Sequence, residues 1–155
     1  MGKLVINSYE EFEQYVGKEL ASSDYHKITQ EQINLFADAT LDHQWIHVDV
    51  ERAKKESPYG ATIAHGYLSV SLLAHLWFSC VEVNNITMLV NFGIENLKFG
   101  QPVVVNSEVR IVTKLKALTN LRGTAKAEVE VLMEIKDSKK NAFKGVIVFL
   151  YQFNK

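Results

Sequence analysis

Gly60-Ala61-Thr62-Ile63-Ala64-His65-Gly66-Tyr67-Leu68-Ser69-Val70-Ser71-Leu72-Leu73-Ala74-His75-Leu76-Trp77-Phe78-Ser79-Cys80-Val81 contains no Asp, Glu, Lys or Arg. As a helix it is long enough to cross a bilayer, so its reading decides between a membrane span and a buried core element. His65, Ser69, Ser71 and His75 are costly in hydrocarbon, and Pro58-Tyr59-Gly60 just before it reads as a turn. The stretch therefore predicts a buried central helix, and the rest of the chain must supply what buries it.

That cover lies downstream. From Ile86 the hydrophobic period changes from helical to two. Val103, Val105, Ser107, Val109 and Ile111 form one mostly apolar parity opposed by Asn106, Glu108 and Arg110. The pattern recurs through Ala125, Ala127, Val129, Val131, Met133 and Ile135 against Lys126, Glu128, Glu130 and Glu134, with a turn expected near Thr119-Asn120. These two read as a long antiparallel pair. Phe143 to Phe153 is apolar on both parities, as in a strand covered on both faces, and Asp137 to Asn141 supplies the loop before it.

Upstream the chain reads as helical. Ser8 with Glu11, and Thr29 with Gln32, form capping boxes, and Ile28 can staple onto Ile33 at the head of a helix running to about Ala39. Asp49 can cap a short helix through Lys55, closed by Ser57-Pro58. Leu41 to Val48 reads as a connecting loop. Helices first, one apolar helix in the middle and long antiparallel strands after it predict an α+β fold: a curved antiparallel sheet wrapped round the central helix, one domain over residues 1–155.

Composition narrows the function. The chain has 155 residues, 47% hydrophobic, with 17 Lys+Arg against 18 Asp+Glu, a net charge of −1. No basic stripe follows a phosphate backbone, so nucleic acid is not an expected partner. Cys80 stands alone, which excludes an internal disulfide and a thiolate metal cage and fits a reducing compartment. Without a hydrophobic leader in Met1 to Leu20, the expected location is cytoplasmic, with no membrane attachment.

The chemistry sits between residues 42 and 66. Asp42 and His47 are five positions apart after a helix, so a short turn can point both at one water, a carboxylate and an imidazole dividing the work of deprotonating it and protonating a neighbouring carbon. Structural roles are the alternative: Asp42 capping a turn and His47 a satisfied polar residue. A second reading takes His43 and His47, four apart, as a zinc pair with Asp42 or His65. Gln44 stands where a helical zinc-protease motif needs Glu, so no metal is expected. Gly66 opens the apolar helix, where its N–H is an unsatisfied donor suited to an oxyanion, with His65 beside it as a substrate-binding or turn-capping residue. His75 reads as a packed histidine with no catalytic role.

Taken together, Phe36-Ala37-Asp38-Ala39-Thr40-Leu41-Asp42-His43-Gln44-Trp45-Ile46-His47-Val48-Asp49 and Ile63-Ala64-His65-Gly66, with Asn91-Phe92-Gly93 further on, resemble the MaoC-type dehydratases. These are hot-dog-fold (R)-specific enoyl-CoA hydratases, and the wording is most similar to the nodulation-protein-N-like branch. The resemblance implies Asp42 and His47 as the catalytic pair, Gly66 as the backbone donor to a thioester oxygen, an acyl-CoA or acyl-carrier thioester as substrate, no cofactor, and a homodimer. Leu41, Gln44 and Trp45 depart from the commoner motif, which has Gly before the Asp and Asn-Pro before the last turn to the His. A non-hydrating acyl-thioester binder and a hot-dog acyl-CoA thioesterase are the alternatives on the same fold.

Overall fold

The computed structural model describes residues 2–155. A short strand β1 (Leu4–Ile6) leads into helix α1 (Tyr9–Glu13), and strands β2 (Glu19–Ser22) and β3 (His26–Lys27) precede helix α2 (Gln30–Thr40). Helices α3 (Trp45–Val48), α4 (Val50–Glu56), α5 (Gly66–Ser71) and α6 (Leu73–Cys80) follow, then β4 (Val81–Val83), β5 (Ile86–Phe99), β6 (Glu108–Leu121), β7 (Thr124–Ile135) and β8 (Asn141–Phe153). The main sheet is antiparallel with strand order β2-β6-β7-β8-β5, β3 also pairing with β6, while β1 and β4 form a separate parallel pair.

The alternation read from the sequence is the burial seen in the sheet. Val109, Ile111 and Leu115 of β6 and Ala125 to Ile135 on one parity of β7 join Leu68, Leu72, Leu73, Leu76, Trp77 and Cys80 in one core. Both faces of β8 are covered, with Val146, Ile147, Val148 and Phe149 all buried. Inside, the Trp77 indole N–H donates to the Tyr151 hydroxyl at 2.8 Å. This meets the rule that a buried polar aromatic keeps a partner, and burial pushes the Tyr151 phenol far above its usual range.

Several expectations are corrected. The central helix is interrupted at Leu72, which ends α5 and starts α6 while its N–H still bonds the Leu68 carbonyl. Leu41 to Val48 is not all loop, because Trp45–Val48 makes one helical turn. The turn between β6 and β7 lies at Arg122 and Gly123, both at positive φ, the geometry of a two-residue hairpin whose twist matches the strands it joins. Its sequence signal was Gly123, three residues beyond Asn120. The strand expected from Val103 begins only at Glu108. Val103 to Val105 instead pair with the segment before α5, through Ala64 N–H to Val103 O at 2.8 Å and Val105 N–H to Thr62 O at 3.0 Å. His75 is exposed and edge-on to His26, with ring centres 5.6 Å apart. Among the described residues no helix is long and apolar enough to cross a membrane.

Strand β5 forms one edge of the main sheet. β6 is paired on both sides, whereas β5 has a neighbour only in β8 and displays Met88 (52% exposed), Phe92 (62%) and Ile94 (46%).

Helix α2 ends at Leu41, which sits in the left-handed region at φ 63° with its side chain in solvent. A branched side chain there costs roughly 1–2 kcal/mol, and glycine gives back part of that gain through greater freedom when unfolded. Leu41→Gly should therefore stabilise the protein by about 0.5–1 kcal/mol, raising Tm by a few degrees in a thermal melt; a lowered Tm would contradict this account of the cap.

Candidate active site

Asp42, His47 and His65 converge although they come from three segments. The left-handed cap at Leu41 turns the chain sharply out of α2, so that Asp42 starts the crossing to α3. Its carboxylate stays half exposed and accepts from the Gln44 N–H at 3.4 Å. His47 lies on α3 and is buried. His65 precedes α5 and is 2% exposed. One donor or acceptor atom from each of the three lies within 4.8 Å of the others.

Hydrogen bonds fix the tautomers. His47 Nδ1 lies 2.7 Å from the Ile63 carbonyl. A carbonyl only accepts, so Nδ1 carries the proton and Nε2 holds the free lone pair. His65 Nε2 donates to the Asp42 carbonyl at 3.0 Å, which leaves Nδ1 as a bare, buried nitrogen with no hydrogen-bond partner among the described residues. The two imidazoles stack with centres 3.9 Å apart and planes 22° from parallel, and Phe36 packs on the other ring of the pair, His65, at 4.9 Å.

Burial pushes the His47 imidazole below its ordinary range; the Ile63 carbonyl draws it back up, the neighbouring His65 lowers it, and Asp42 raises it. The net direction keeps His47 neutral, with a lone pair available, near pH 7. Two consequences follow with acidification. Activity that needs the lone pair should fall along a limb centred below the ordinary histidine value of about 6.5. The sign for stability is the same: between the folded and unfolded His47 values the unfolded chain binds more protons, so stability is full above about pH 6.5 and declines as pH falls below it. Parallel kcat/KM and chemical-denaturation profiles would check both, and an activity limb above pH 7 would contradict the burial argument.

The donor set does not suit a metal ion. His43, the other half of the expected zinc pair, turns away to Asp38 at 2.8 Å. Stacked imidazoles hold their lone pairs in nearly parallel planes, so an ion bound by both would sit well outside each ring plane, unlike the in-plane approach of about 2.0–2.1 Å at zinc sites.

Beside His47 lies a cleft of about 160 Å³, lined by Ile63, Gly66, Ser69, Phe99 and Gly100 among others. The backbone of Gly66 thus faces the same space as His47. A Cβ placed on Gly66 would come 2.9 Å from the Phe99 ring, so a side chain at this position needs that ring to shift. His65 occupies the N-cap position of α5, yet its side chain makes no capping bond; it lies behind His47. Sequence reasoning missed Phe99, Ser69, Thr62 and Gln30. Gly100 was the available signal for the first: a Cβ there would meet the Asn141 carbonyl at 2.5 Å, marking a close backbone crossing beside the cleft.

Trp45 stands at the first position of α3, where a proline's fixed φ would preorganise the turn. Here the Arg52 guanidinium from α4 covers the Trp45 ring at 4.3 Å, a cation–π contact that holds the turn by other means.

This geometry coincides with a clear relationship. Residues 11–136 match the MaoC like domain family, and the chain belongs to that family. It is 43% identical over 127 residues to the 3-hydroxyacyl-thioester dehydratase Z of Mycobacterium tuberculosis, covering 81% of this chain and 83% of the relative. It is 39% identical over 142 residues to the nodulation protein N of Rhizobium leguminosarum bv. viciae, covering 90% and 88% of the two chains. The structure of R-hydratase PhaJ1 from Pseudomonas aeruginosa in the unliganded form superposes with a TM-score of 0.71 at 17% identity, over 90% of this chain and 82% of that one, which shows a shared hot-dog fold.

Proposed function

We propose that the protein is an (R)-specific enoyl-CoA hydratase, or 3-hydroxyacyl-thioester dehydratase in the reverse direction, acting as one hot-dog domain without a cofactor. The observation that carries the reading is the approach of the Asp42 carboxylate to a His47 whose proton is held on Nδ1 by Ile63, so that Nε2 is free for the reacting water. The relationship to a dehydratase at 43% identity supports the same reaction.

In the hydration direction Asp42 accepts one hydrogen of the water and holds it against C3 of a trans-2-enoyl thioester. The water oxygen bonds to C3 as its other proton passes to His47 Nε2. The C2=C3 electrons shift onto the thioester carbonyl, whose developing charge faces the Gly66 N–H across the cleft it shares with His47. The imidazolium, stabilised by Asp42, then returns its proton to C2 on the same face. The product is a (3R)-hydroxyacyl thioester and both residues end as they began. A neutral His47 serves as base and, once protonated, as acid.

The free edge of β5 and its exposed Met88, Phe92 and Ile94 fit a second copy of the chain, since an uncovered hydrophobic edge strand invites pairing. We accordingly expect a homodimer in the cytoplasm; light scattering at micromolar concentration should give twice the chain mass of 17.6 kDa, and a monomer would contradict it. The activity is tested with enoyl-CoA substrates of several chain lengths, following loss of the conjugated absorbance and release of free thiol together. Absorbance loss without thiol is the expected result. Thiol release would identify a thioesterase, and neither signal a binder.

A further inference from the structure

Gln30 is the first residue of α2 after its cap, half-buried and outside the cleft. Its side-chain amide uses both ends. Nε2 donates to the His47 carbonyl at 2.8 Å and to Asn34 Oδ1 at 2.9 Å, while Oε1 accepts from the Thr62 hydroxyl at 2.5 Å. Thr62 is 1% exposed and directly precedes Ile63, whose carbonyl receives the His47 ring proton. A closed circuit results: the Gln30 amide, the His47 backbone, the His47 imidazole, Ile63, Thr62 and back to Gln30. The two anchors of the imidazole, its own backbone and the carbonyl that holds Nδ1, are thus tied to each other by one side chain.

We infer that Gln30 is a positioning residue for His47, setting the direction of the Nε2 lone pair by clamping the His47 carbonyl to Thr62. The inference rests on the proposed hydration for its catalytic consequence, and on geometry alone for the clamp. The amide suits the task because a single group must donate to a carbonyl and accept from a hydroxyl at once. A second contact, Ile63 N–H to Ile46 O at 3.1 Å, still joins α3 to this segment when Gln30 is replaced. Loss of the clamp should therefore loosen the ring without unfolding the protein, and small misplacements at a reacting group are expensive in rate.

The test uses the full-length protein and two variants. Gln30→Met keeps length and removes all three bonds; Thr62→Val keeps shape and removes only the hydroxyl donor, which serves if the first variant folds poorly. The readouts are kcat and KM for crotonyl-CoA hydration and the titration of the His47 ring followed by NMR. The titratable groups facing His47 are Asp42 and His65, and neither substitution alters them. For Gln30→Met we expect kcat lower by about tenfold with KM within about twofold, and a His47 midpoint moved upward as the loosened ring gains water. Thr62→Val should move both in the same directions by less. An unmoved His47 midpoint overturns the clamp, and a moved midpoint with parental kcat in an active enzyme overturns its role in the reaction. If the parental protein hydrates no enoyl-CoA, or Asp42→Asn hydrates at the parental rate, it is the hydration reading that fails, and the NMR midpoint alone decides on the clamp.

Discussion

Asp42→Asn and His47→Asn should each lower kcat/KM for enoyl-CoA hydration by on the order of a hundredfold or more, the usual cost of removing a positioned acid–base group. The two substitutions fail for different reasons. Asparagine at 42 still reaches the water but presents no charge, so it neither orients the water through a second anionic oxygen nor stabilises the imidazolium. Asparagine at 47 removes the lone pair that takes the proton. Because the two act on one water, the double variant should be little worse than the poorer single one. Folding should survive in Asp42→Asn, whose side chain is half exposed, accepts from the Gln44 N–H of its own turn and lies 4.0 Å from His65 Nε2, contacts that an isosteric amide can keep. His47→Asn gives up a buried ring stacked on His65, so a melting curve must accompany its kinetics. Parental turnover by folded Asp42→Asn over several chain lengths would end the proposed mechanism.

Gly66→Val should cost about a hundredfold through a different route. The added Cβ would meet three atoms of the Phe99 ring at 2.9–3.3 Å, and that ring, 51% exposed, must shift to admit it. Phe99, Gly66 and His47 line the same cleft, so a displaced ring or a displaced backbone both disturb the space the thioester must occupy. Misaligning one donor to a developing oxyanion costs roughly 3 kcal/mol in acyl chemistry, or about two orders of magnitude in rate. Gly66→Ala combined with Phe99→Ala should recover much of the activity lost by Gly66→Ala alone, because the bulk that collides has been removed. Folded Gly66→Val with parental kcat/KM would show that this backbone does not approach the reacting group.

How far the chain could be read follows from what kind of signal each feature leaves. Strands β6 and β7 were legible because one face is buried and the other wet, which writes a period of two into Val109 to Leu115 and Ala125 to Ile135. The caps at Ser8 and Thr29 were legible because a side chain must meet an N–H three residues on, and both do, to Glu11 and Gln32. Helix α3 was not, since four residues hold no period and Trp45 and Val48 favour extended chain; its neighbours are Arg52 over Trp45, Gln30 at the His47 carbonyl and Ile63 at the Ile46 carbonyl. The edge position of β5 was hidden as well. Pairing order is a property of the whole sheet, and a strand exposed for a partner carries apolar residues on both parities much as a buried one does. At the site, Asp42 and His47 could be singled out by chemistry and spacing. The place of His65 behind His47, and the reach of Gln30 across 17 residues to the His47 carbonyl, depend on tertiary contacts that no local pattern encodes.

The most direct test of the account is hydration of crotonyl-CoA in deuterium oxide, with the product's configuration determined at C2 and C3. Delivery of oxygen and proton from one side of the alkene by Asp42 and His47 predicts (3R)-hydroxybutyryl-CoA carrying one deuterium at C2, added on the same face as the hydroxyl. A (3S) product, deuterium on the opposite face, or an unchanged enoyl thioester with this and longer acyl chains would contradict it.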